Sequence, residues 1–322
     1  MDTQTIGTVR ANDFALHVRE GLTKPGQKEL PSKFFYDEIG SSLFESICLL
    51  PEYGLTRAEE RIFKRHAATI VSRLPEAVSV AELGSGTGKK TRLLLHALCL
   101  RGPLSYYPIE ISPKALADCE RELSDIRCIN VVGLEREYLD GLLEVAARRG
   151  EGQSLLVLFL GSTIGNFDVP ASIDFLRQIR SILWEGDYLL LGADLLKSRD
   201  VLLAAYDDSL GITAAFNRNL LGRVNRELAA NFSLDHFAHQ AIFNDRTRSI
   251  EMHLRSRCQQ QVSIPGAGIE VRFAEGETIW TEASHKYSLD ELSCMAAQSG
   301  FVPEATWLDN TWPFADCLWS AR

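Results

Sequence analysis

The chain has 322 residues, of which 45% are hydrophobic and 24% charged, and such proportions are typical of soluble globular enzymes. Its formal net charge of −9 argues against a general binder of nucleic acid or anionic membranes, although a local basic site stays open. The start, MDTQTIGTVRANDF, lacks the basic residues and apolar core of a signal peptide, and we expect no spanning helix. Scattered cysteines without a CxxC pair favour reduced thiols, and therefore a cytoplasmic protein.

Helix and strand patterns alternate between residues 58 and 196. Ser112 precedes Pro113 at the favoured first position of a helix, and SLLVLFLG reads as a strand buried on both faces. The patterns in chain order are RAEERIFKRHAATIVSRL, VSVAEL, TRLLLHAL, SYYPIEIS, PKALADCEREL, IRCINVVG, REYLDGLLEVAARR, SLLVLFLG, ASIDFLRQIRSIL and DYLLLGADL. This order predicts an α/β fold, with a parallel sheet covered by helices on both sides.

The pattern changes after residue 197. SRDVLLAAYDDSLGITAAFNRNLLGRVNREL predicts a helix, and NDRTR predicts a turn between the first two of several strands. Those strands are HQAIFND, RSIEMHLRSR, QQQVSI, IEVRFAE and ETIWTEAS. SLDE fits a capping box before another helix, and FVPEATWLD and FADCLWSA then read as closing strands.

These patterns predict two domains, each discontinuous in the chain. A parallel-sheet domain covers 58–196 and is completed by 286–322, and an α+β module covers 1–57 and 197–285. The two halves of the module can meet only by folding over the carboxyl ends of the sheet, where open α/β folds bind ligands.

The stretch VAELGSGTGKKTRLLL at 80–95 joins a predicted strand to a predicted helix through a glycine-rich turn. A phosphate-binding P-loop needs G-x-x-x-x-G-K-[ST], and the segment from Gly84 to Gly88 is one residue too short. A dinucleotide fingerprint needs G-x-G-x-x-G, and here the last glycine comes one place early. Neither motif is satisfied.

An acidic residue before the glycines gives E-x-G-x-G-T-G, starting at Glu82, which resembles the first motif of Rossmann-like S-adenosylmethionine (SAM) methyltransferases. SAM carries no phosphate; it needs open backbone against its adenosine and a cation for its carboxylate, for which Lys90 is the candidate. Glu110 ends the next strand, where a carboxylate can accept from both ribose hydroxyls of either SAM or NAD. A tight strand–helix turn without a ligand stays the alternative.

Five further stretches resemble the histidine-specific N-α-methyltransferases of ergothioneine biosynthesis (EgtD-type). They are FFYDEIGSSLFESICLLPEYGLTRAEE, LFLGSTIGNF, AYDDSLGITAAFNRNLLGRVNREL, RSIEMHLRSR and TEASHKYS. The resemblance runs in order over nearly the whole chain. It implies a Rossmann-like SAM-binding domain, a second substrate-binding domain, and trimethylation of the α-amine of histidine to hercynine.

By position, the resemblance also implies a site. Asn166 and Tyr206 match residues that hold the substrate carboxylate, and Tyr53, Glu282 and Ser284 match those that contact the imidazole. The pocket lining is matched by Tyr36, Phe44, Gly161 and Met252, and the cofactor site by Gly84, Ser85, Gly86, Lys90, Glu110, Leu134 and Glu135. Each of these residues alone also has a structural explanation, such as a turn cap for Asn166 or a core position for Met252.

The chain departs from the family in three places. A second tyrosine often follows PEY, where this chain has Gly54. Relatives commonly show Gly-Asp-Phe, with the aspartate accepting from the adenine amine, where this chain has Leu134 and Glu135 after Gly133. Glu110 stands where relatives often carry aspartate. Two of the three departures therefore fall in the predicted cofactor site.

The predicted partners are small molecules, SAM and L-histidine, bound to a monomer. Methylation of another aromatic amino acid such as tryptophan is the nearest alternative; a nucleotide-binding oxidoreductase and a SAM-binding regulator without catalysis are the others. In the mechanism, a tyrosine hydroxyl such as that of Tyr36 helps the α-ammonium to lose its proton. His236 and His239 form H-x-x-H on a possible helix, but without a third ligand we expect no metal site.

Overall fold

The computed structural model describes residues 3–150 and 152–322. The helices are α1 (Thr3–Thr23), α2 (Glu38–Leu49), α3 (Leu55–Val71), α4 (Thr91–Cys99), α5 (Pro113–Leu123), α6 (Tyr138–Arg148), α7 (Val169–Ile182), α8 (Arg199–Tyr206), α9 (Ile212–Leu228) and α10 (Leu289–Ser299). Short 3₁₀ turns cover Ser32–Phe35, Thr163–Asn166, Leu234–His236 and Pro265–Ala267. Within the described ranges, no helix has both the length and the apolar character needed to cross a bilayer.

The strands complete the description of the secondary structure. They are β1 (Lys28–Glu29), β2 (Val78–Leu83), β3 (Leu104–Glu110), β4 (Ile129–Val131), β5 (Leu134–Glu135), β6 (Ser154–Phe159), β7 (Tyr188–Asp194), β8 (Phe237–Asn244), β9 (Ser249–Ser256), β10 (Gln260–Ile264), β11 (Ile269–Phe273), β12 (Thr278–His285), β13 (Phe301–Asp309) and β14 (Phe314–Ala321).

The chain forms two compact units. The first unit contains the residues up to Tyr53 together with Ser198–Ala283, and the second contains Gly54–Lys197 together with Ser284–Arg322. The chain therefore leaves the second unit once and returns to it for its last strands.

The second unit is built on one large sheet with the strand order β13-β14-β7-β6-β2-β3-β4, and β5 pairs with β3. The strands from β2 to β7 pair in parallel, whereas β14 is antiparallel to both β7 and β13. The apolar strands β2 and β6 lie side by side at its centre, which explains their almost unbroken burial. The predicted parallel sheet of a Rossmann-like α/β fold and both closing strands are confirmed.

Local capping signals in the second unit are also confirmed. Ser112 accepts from the Ala115 amide, and Pro113 begins α5. Ser288 and Glu291 form a reciprocal capping box at the start of α10. These side chains satisfy amides that the first helical turn leaves without partners, and so fix where each helix begins.

The first unit carries a four-stranded sheet with the order β1-β12-β9-β8 and a separate antiparallel pair, β10 and β11. The predicted hairpin is confirmed, since β8 and β9 pair antiparallel from Phe237↔Ser256 to Asn244↔Ser249. The helix α9 contributes buried residues on several of its turns, among them Phe216 and Asn217.

Two expectations for the first unit are wrong. The single helix expected over residues 198–228 is two helices, because the chain turns at Gly211 (φ +72°) and Asp208 caps α9 by accepting from the amides of Ile212 and Thr213. His236 and His239 do not share a helix: the former ends a 3₁₀ turn and the latter lies on β8. His239 lies on β8 because that segment pairs with a neighbouring strand, and such pairing cannot be read from the local periodicity of the sequence.

Candidate active site

The glycine turn joins the end of β2 to the start of α4. Gly84, Gly86 and Gly88 all adopt positive φ angles, of +73°, +53° and +70°. A Cβ on Gly88 would lie 2.7 Å from the Cys119 sulfur, so a side chain there would collide with α5, whereas a Cβ on Gly86 would meet no atom within 4 Å. The turn therefore needs glycine for its backbone and leaves open space beside Gly86.

Glu110 is held against this turn at the end of β3. Its Oε1 accepts from the amides of Ile111 and Ser112 at 2.8 and 3.1 Å, and its Oε2 accepts from the Gly86 amide at 3.3 Å. Burial raises the pKa of Glu110, and these three hydrogen bonds work in the opposite direction. A carboxylate fixed in this way beside open backbone can accept from a vicinal diol.

Leu134 and Glu135 lie directly beside Glu110. They form β5, in which Leu134 is opposite Ile109 and Glu135 is opposite Glu110. Leu134 is buried and Glu135 is partly exposed. The departure from the family pattern therefore falls next to the acid that faces the glycine turn.

Glu82, which precedes the glycines, has a different position from Glu110. It is buried on β2, where Thr91 donates to its Oε1 at 2.7 Å and the Tyr106 hydroxyl donates to its Oε2. Burial raises the pKa of Glu82 to about 7, although both hydrogen bonds lower it. Glu82 thus connects β2, β3 and the first residue of α4, and holds the two ends of the glycine turn in place.

Lys90 and Gly161 are connected by Glu59, a residue that the sequence analysis missed. The Lys90 ammonium pairs with the buried Glu59 carboxylate, whose Oε1 accepts from the Gly161 amide at 2.8 Å. A Cβ on Gly192 would lie 2.2 Å from the same oxygen, so β7 leaves room for this carboxylate only by carrying glycine. Glu59 follows Leu55 by four residues on α3, and this apolar spacing is the signal that predicts its burial.

Asp316, on β14, belongs to the same buried cluster. Burial raises the pKa of Asp316 well above its ordinary value, and the nearby Glu59 raises it further. Two acidic side chains and the Lys90 ammonium therefore share this interior region. The Glu59 carboxylate, which contacts both groups, holds the Lys90 ammonium beside Gly161.

Two more predicted residues lie in the second unit. Asn166 ends the 3₁₀ turn after β6 and is half-buried; the turn is anchored by the Tyr287 hydroxyl, which donates to the Ile164 carbonyl at 3.1 Å. Ser284 is buried near the end of β12, and its Oγ accepts from the Lys286 ammonium at 2.8 Å.

The structure brings together four predicted residues of the first unit, and with Phe216 they form what we call the aromatic cluster: Tyr36, Phe44, Tyr53, Tyr206 and Phe216. Successive ring centroids lie 5.6 Å apart for Tyr36 and Phe44, 6.3 Å for Phe44 and Tyr53, and 6.2 Å for Tyr53 and Tyr206. Phe216, which was missed, packs against Tyr36 and Phe44 from α9. The FNRN string that begins with Phe216 was the available signal.

Glu282 and Met252 lie in the same unit as the aromatic cluster. Burial raises the pKa of Tyr53 well above its ordinary value, and the nearby groups of Tyr206, Cys48, Tyr36 and Glu282 raise it further. The Glu282 carboxylate is therefore close enough to Tyr53 to affect its ionisation. Met252 is buried on β9, and its carbonyl accepts from the Thr281 hydroxyl at 2.9 Å.

Asn217 is a buried hydrogen-bonding centre that sequence reasoning also missed. Its side-chain nitrogen donates to His239 Nδ1 at 2.9 Å and to the His253 carbonyl at 3.1 Å, and its oxygen accepts from Thr281 at 2.8 Å. His239 Nε2 in turn donates to the Tyr206 carbonyl at 2.8 Å. Both ring nitrogens of His239 thus contact protein atoms, and α9 is connected to β8, β9 and β12.

Gly54 is the residue that departs from the family pattern after PEY. Packing within the second unit requires glycine at this position. A Cβ at this position would lie 2.1 Å from Cε3 of Trp312, whose ring covers the start of α3. Trp312 Nε1 donates to the Asp194 carboxylate at 2.8 Å, which fixes the ring. The Trp312 ring therefore fills the space beside Gly54, the position where the family pattern has a second tyrosine.

The chain is similar to known methyltransferases along most of its length. It is 41% identical over 302 residues to histidine N-alpha-methyltransferase of Mycolicibacterium smegmatis, covering 92% of this chain and 91% of that protein. It is 34% identical over 203 residues to ergothioneine biosynthesis protein 1 of Neurospora crassa, covering 63% of this chain and 23% of that protein. L-tryptophan methyltransferase trpM of Psilocybe serbica is 26% identical over 330 residues, covering 95% and 91%. The model of the family described as histidine-specific, SAM-dependent methyltransferases matches residues 14–321, and this chain therefore belongs to that family.

Proposed function

We propose that this enzyme transfers three methyl groups from SAM to the α-amino group of L-histidine and so produces hercynine, the first step of ergothioneine biosynthesis. The observation that carries the proposal is the 41% identity to a histidine N-alpha-methyltransferase over 91% of that protein's length. The aromatic cluster and the glycine turn with Glu110 supply groups of the right chemistry.

The second unit is proposed to bind SAM, which supplies a methyl group on an activated sulfonium. Gly84, Ser85 and Gly86 present open backbone to the adenosine, and Glu110 accepts from the ribose hydroxyls. Lys90, whose ammonium is held by Glu59, would pair with the carboxylate of the cofactor. Leu134 and Glu135, next to Glu110 along the sheet, would hold the adenine.

The substrate contacts are proposed from the positions that match the family's site. Asn166 and Tyr206 donate to the carboxylate of histidine without adding charge, as neutral donors should near a cationic cofactor. Tyr53, Glu282 and Ser284 contact the imidazole, where a carboxylate and a hydroxyl can engage both ring nitrogens. The remaining pocket is lined by Tyr36, Phe44, Gly161 and Met252.

The protein's contribution to the reaction is alignment and exclusion of water. The histidine ammonium must first lose a proton, since only the neutral amine can attack. Tyr36 is the residue proposed to help this loss through its hydroxyl, together with water. Three successive transfers require that the amine rotate within the pocket as methyl groups accumulate.

Methylation of tryptophan or a derivative is the second candidate, because of the 26% identity to L-tryptophan methyltransferase. Glu282 favours histidine: an indole has one ring N–H and no second nitrogen, so it cannot engage both a carboxylate and a hydroxyl. Leaving one such buried polar group without a partner disfavours the wrong side chain.

Mass spectrometry separates these functions. The purified protein is incubated with SAM and with histidine, tryptophan or tyrosine in turn, and each amino acid is examined for the gain of one to three methyl groups. We expect trimethylhistidine. Tight binding of SAM without a methylated product from any amino acid would contradict the enzymatic function.

The expectation of a cytoplasmic monomer stays a prediction. Size-exclusion chromatography with light scattering tests its oligomeric part: a single species of 35.9 kDa is expected. A species of twice that mass would contradict it.

A further inference from the structure

Asp316 is a fully buried acid on β14, inside the large sheet of the second unit. Neither of its carboxylate oxygens has a hydrogen-bond partner among the residues that the structure describes. Its neighbours across the sheet are Gly192 on β7 and Trp307 on β13, so the two adjacent strands place no cation opposite it. A buried carboxylate without donors is costly, and its place here calls for a reason.

A second fully buried acid, Glu59, lies beside Asp316 on α3, which packs against β14. A Cβ on Gly192 would lie 2.2 Å from Glu59 Oε1 and 3.2 Å from Asp316 Oδ1, so both carboxylates face the same glycine. The donors go to Glu59: its Oε2 pairs with the Lys90 ammonium, and its Oε1 accepts from the Gly161 amide at 2.8 Å. When two acids lie this close, the one without donors is the one that keeps a proton.

The nearest other acids on this face of the sheet have cations of their own. Burial raises the pKa of Asp316, the charge of Glu59 raises it further, and the charge of Lys90 lowers it in part. The charged groups that face Asp316 are therefore Glu59 and Lys90. The neighbouring ion pairs are Asp309 on β13 with Arg61 on α3, and Asp194 on β7 with Lys197 and Lys286.

We infer that Asp316 is a positioning residue held as the neutral acid, so that Glu59 alone opposes the charge of Lys90 and the ammonium can also pair with the carboxylate of SAM. This inference rests on the proposed function, in which Lys90 binds that carboxylate. With both acids ionised, the three side chains would carry a net negative charge and repel a further carboxylate. With a proton on Asp316 they are neutral together, and an ammonium has three donors to share between two carboxylates.

The pH dependence of stability reports this proton. In the unfolded chain an aspartate loses its proton near a pKa of about 3.9, whereas folded Asp316 keeps the proton to a higher pH, so raising the pH favours unfolding. Urea denaturation gives the unfolding constant of the natural protein and of Asp316→Asn, an amide of the same shape that cannot ionise. Between about pH 5 and 7, the ratio of the natural constant to that of the variant should rise about tenfold per pH unit.

Asp309→Asn is the matched control, because Asp309 is also buried in this sheet. The hydrogen bonds from Arg61 lower the pKa of Asp309, so this acid is ionised in both the folded and the unfolded chain over the same pH range. The corresponding ratio should therefore stay level. Should Asp316→Asn not fold, as judged by circular dichroism, Asp316→Ala removes the same proton and should give the same rise. A level ratio for the Asp316 variant would show that Asp316 is ionised in the folded protein, and would overturn the inference.

Two ligands test the connection to the cofactor site. S-adenosylhomocysteine and 5′-methylthioadenosine share the adenosine and a neutral sulfur, but the second lacks the amino-acid part. The ratio of their Kd values, measured by calorimetry at pH 7, therefore isolates the end of the ligand that Lys90 binds. Because the amide of Asp316→Asn is neutral like the acid, this ratio should stay within about twofold of the natural value. A shift of about fivefold or more in favour of S-adenosylhomocysteine would reveal the removal of a negative charge, and would overturn the inference.

Failure of the proposed function is visible separately. Lys90→Met should weaken the binding of S-adenosylhomocysteine far more than that of 5′-methylthioadenosine. Equal losses for both ligands would remove Lys90 from the carboxylate site and so contradict the proposed cofactor contacts. The stability ratio for Asp316→Asn is measured without ligand, so it still reports whether Asp316 holds a proton.

Discussion

The side-chain amide of Asn217 donates to Nδ1 of His239 at 2.9 Å and thereby determines which ring nitrogen of this histidine carries the proton. The proton lies on Nε2, which donates to the Tyr206 carbonyl at 2.8 Å. Burial lowers the pKa of His239. The neutral ring therefore connects α9 to the end of α8, where a residue of the aromatic cluster is placed.

This arrangement predicts a loss of stability in mild acid. Below about pH 6.5, His239 takes up a proton in the unfolded chain but not in the folded one, so the free energy of unfolding falls as pH falls from 6.5 through the lower folded pKa. In His239→Gln, whose amide can also donate and accept, this fall should be smaller. Urea denaturation at pH 7.5 and 5.5 measures it; identical falls in both proteins would contradict the role given to His239.

Removal of the Glu282 carboxylate should lower kcat/KM for histidine and leave the affinity for SAM almost unchanged. In Glu282→Ala, we expect kcat/KM for histidine to fall roughly ten- to hundredfold, the cost of about 1–3 kcal/mol for a lost buried partner. The affinity for SAM, measured by calorimetry, should change less than about twofold, because we place no cofactor contact here. Glu270→Ala, on the exposed part of β11, is the control. An equal loss of SAM binding would show that Glu282 is wrongly placed.

The affinity of the protein for SAM should depend on the negative charge of Glu110. In Glu110→Gln, an NH₂ group would meet either the amides of Ile111 and Ser112 or that of Gly86, donor against donor. We expect the Kd for SAM to rise tenfold or more, in line with about 1–3 kcal/mol for an unsatisfied buried group. Calorimetric titration of SAM measures it, with exposed Glu76→Gln as control. Unchanged affinity would remove Glu110 from the cofactor site.

Gly54→Ala should destabilise the second unit. The added Cβ would lie 2.1 Å from Trp312 Cε3, and the ring is held by its hydrogen bond to Asp194. Overpacking of this kind costs about 1–3 kcal/mol. Chemical denaturation of Gly54→Ala should show it, whereas Gly150→Ala, where the nearest atom would be 3.7 Å away, should unfold almost as the natural protein does. Equal stability of the two variants would mean that Trp312 moves freely.

The local sequence pattern was sufficient to predict most strands and helices of the second unit. The strands of the large sheet are short apolar runs, and the helices between them begin at recognisable caps such as Ser112 and Ser288. The glycine turn and Glu110 could be connected because both stand at strand ends on the same edge of a parallel sheet. These strands could be predicted because both of their faces are buried, so that their sequences are almost continuous apolar runs.

Residues whose role depends on distant parts of the chain were not found. Glu59 and Glu60 are adjacent and identical in kind, yet Glu59 is fully buried and pairs with Lys90, whereas Glu60 pairs with Lys64 at the surface. Asn217 receives its partners from three strands that follow it in the chain. Such contacts are set by tertiary packing, which sequence periodicity does not contain.

The position of β14 has a consequence for synthesis on the ribosome. Since β14 lies between β7 and β13, the open edge of β7 stays unpaired until residues 314–321 emerge, while the intervening first-unit segment, Ser198–Ala283, has already been made. During that interval Leu189, Leu190 and Leu191 offer an apolar edge on which a second nascent chain can pair. Premature stop codons in the last strand should therefore yield aggregates, with little partially active enzyme.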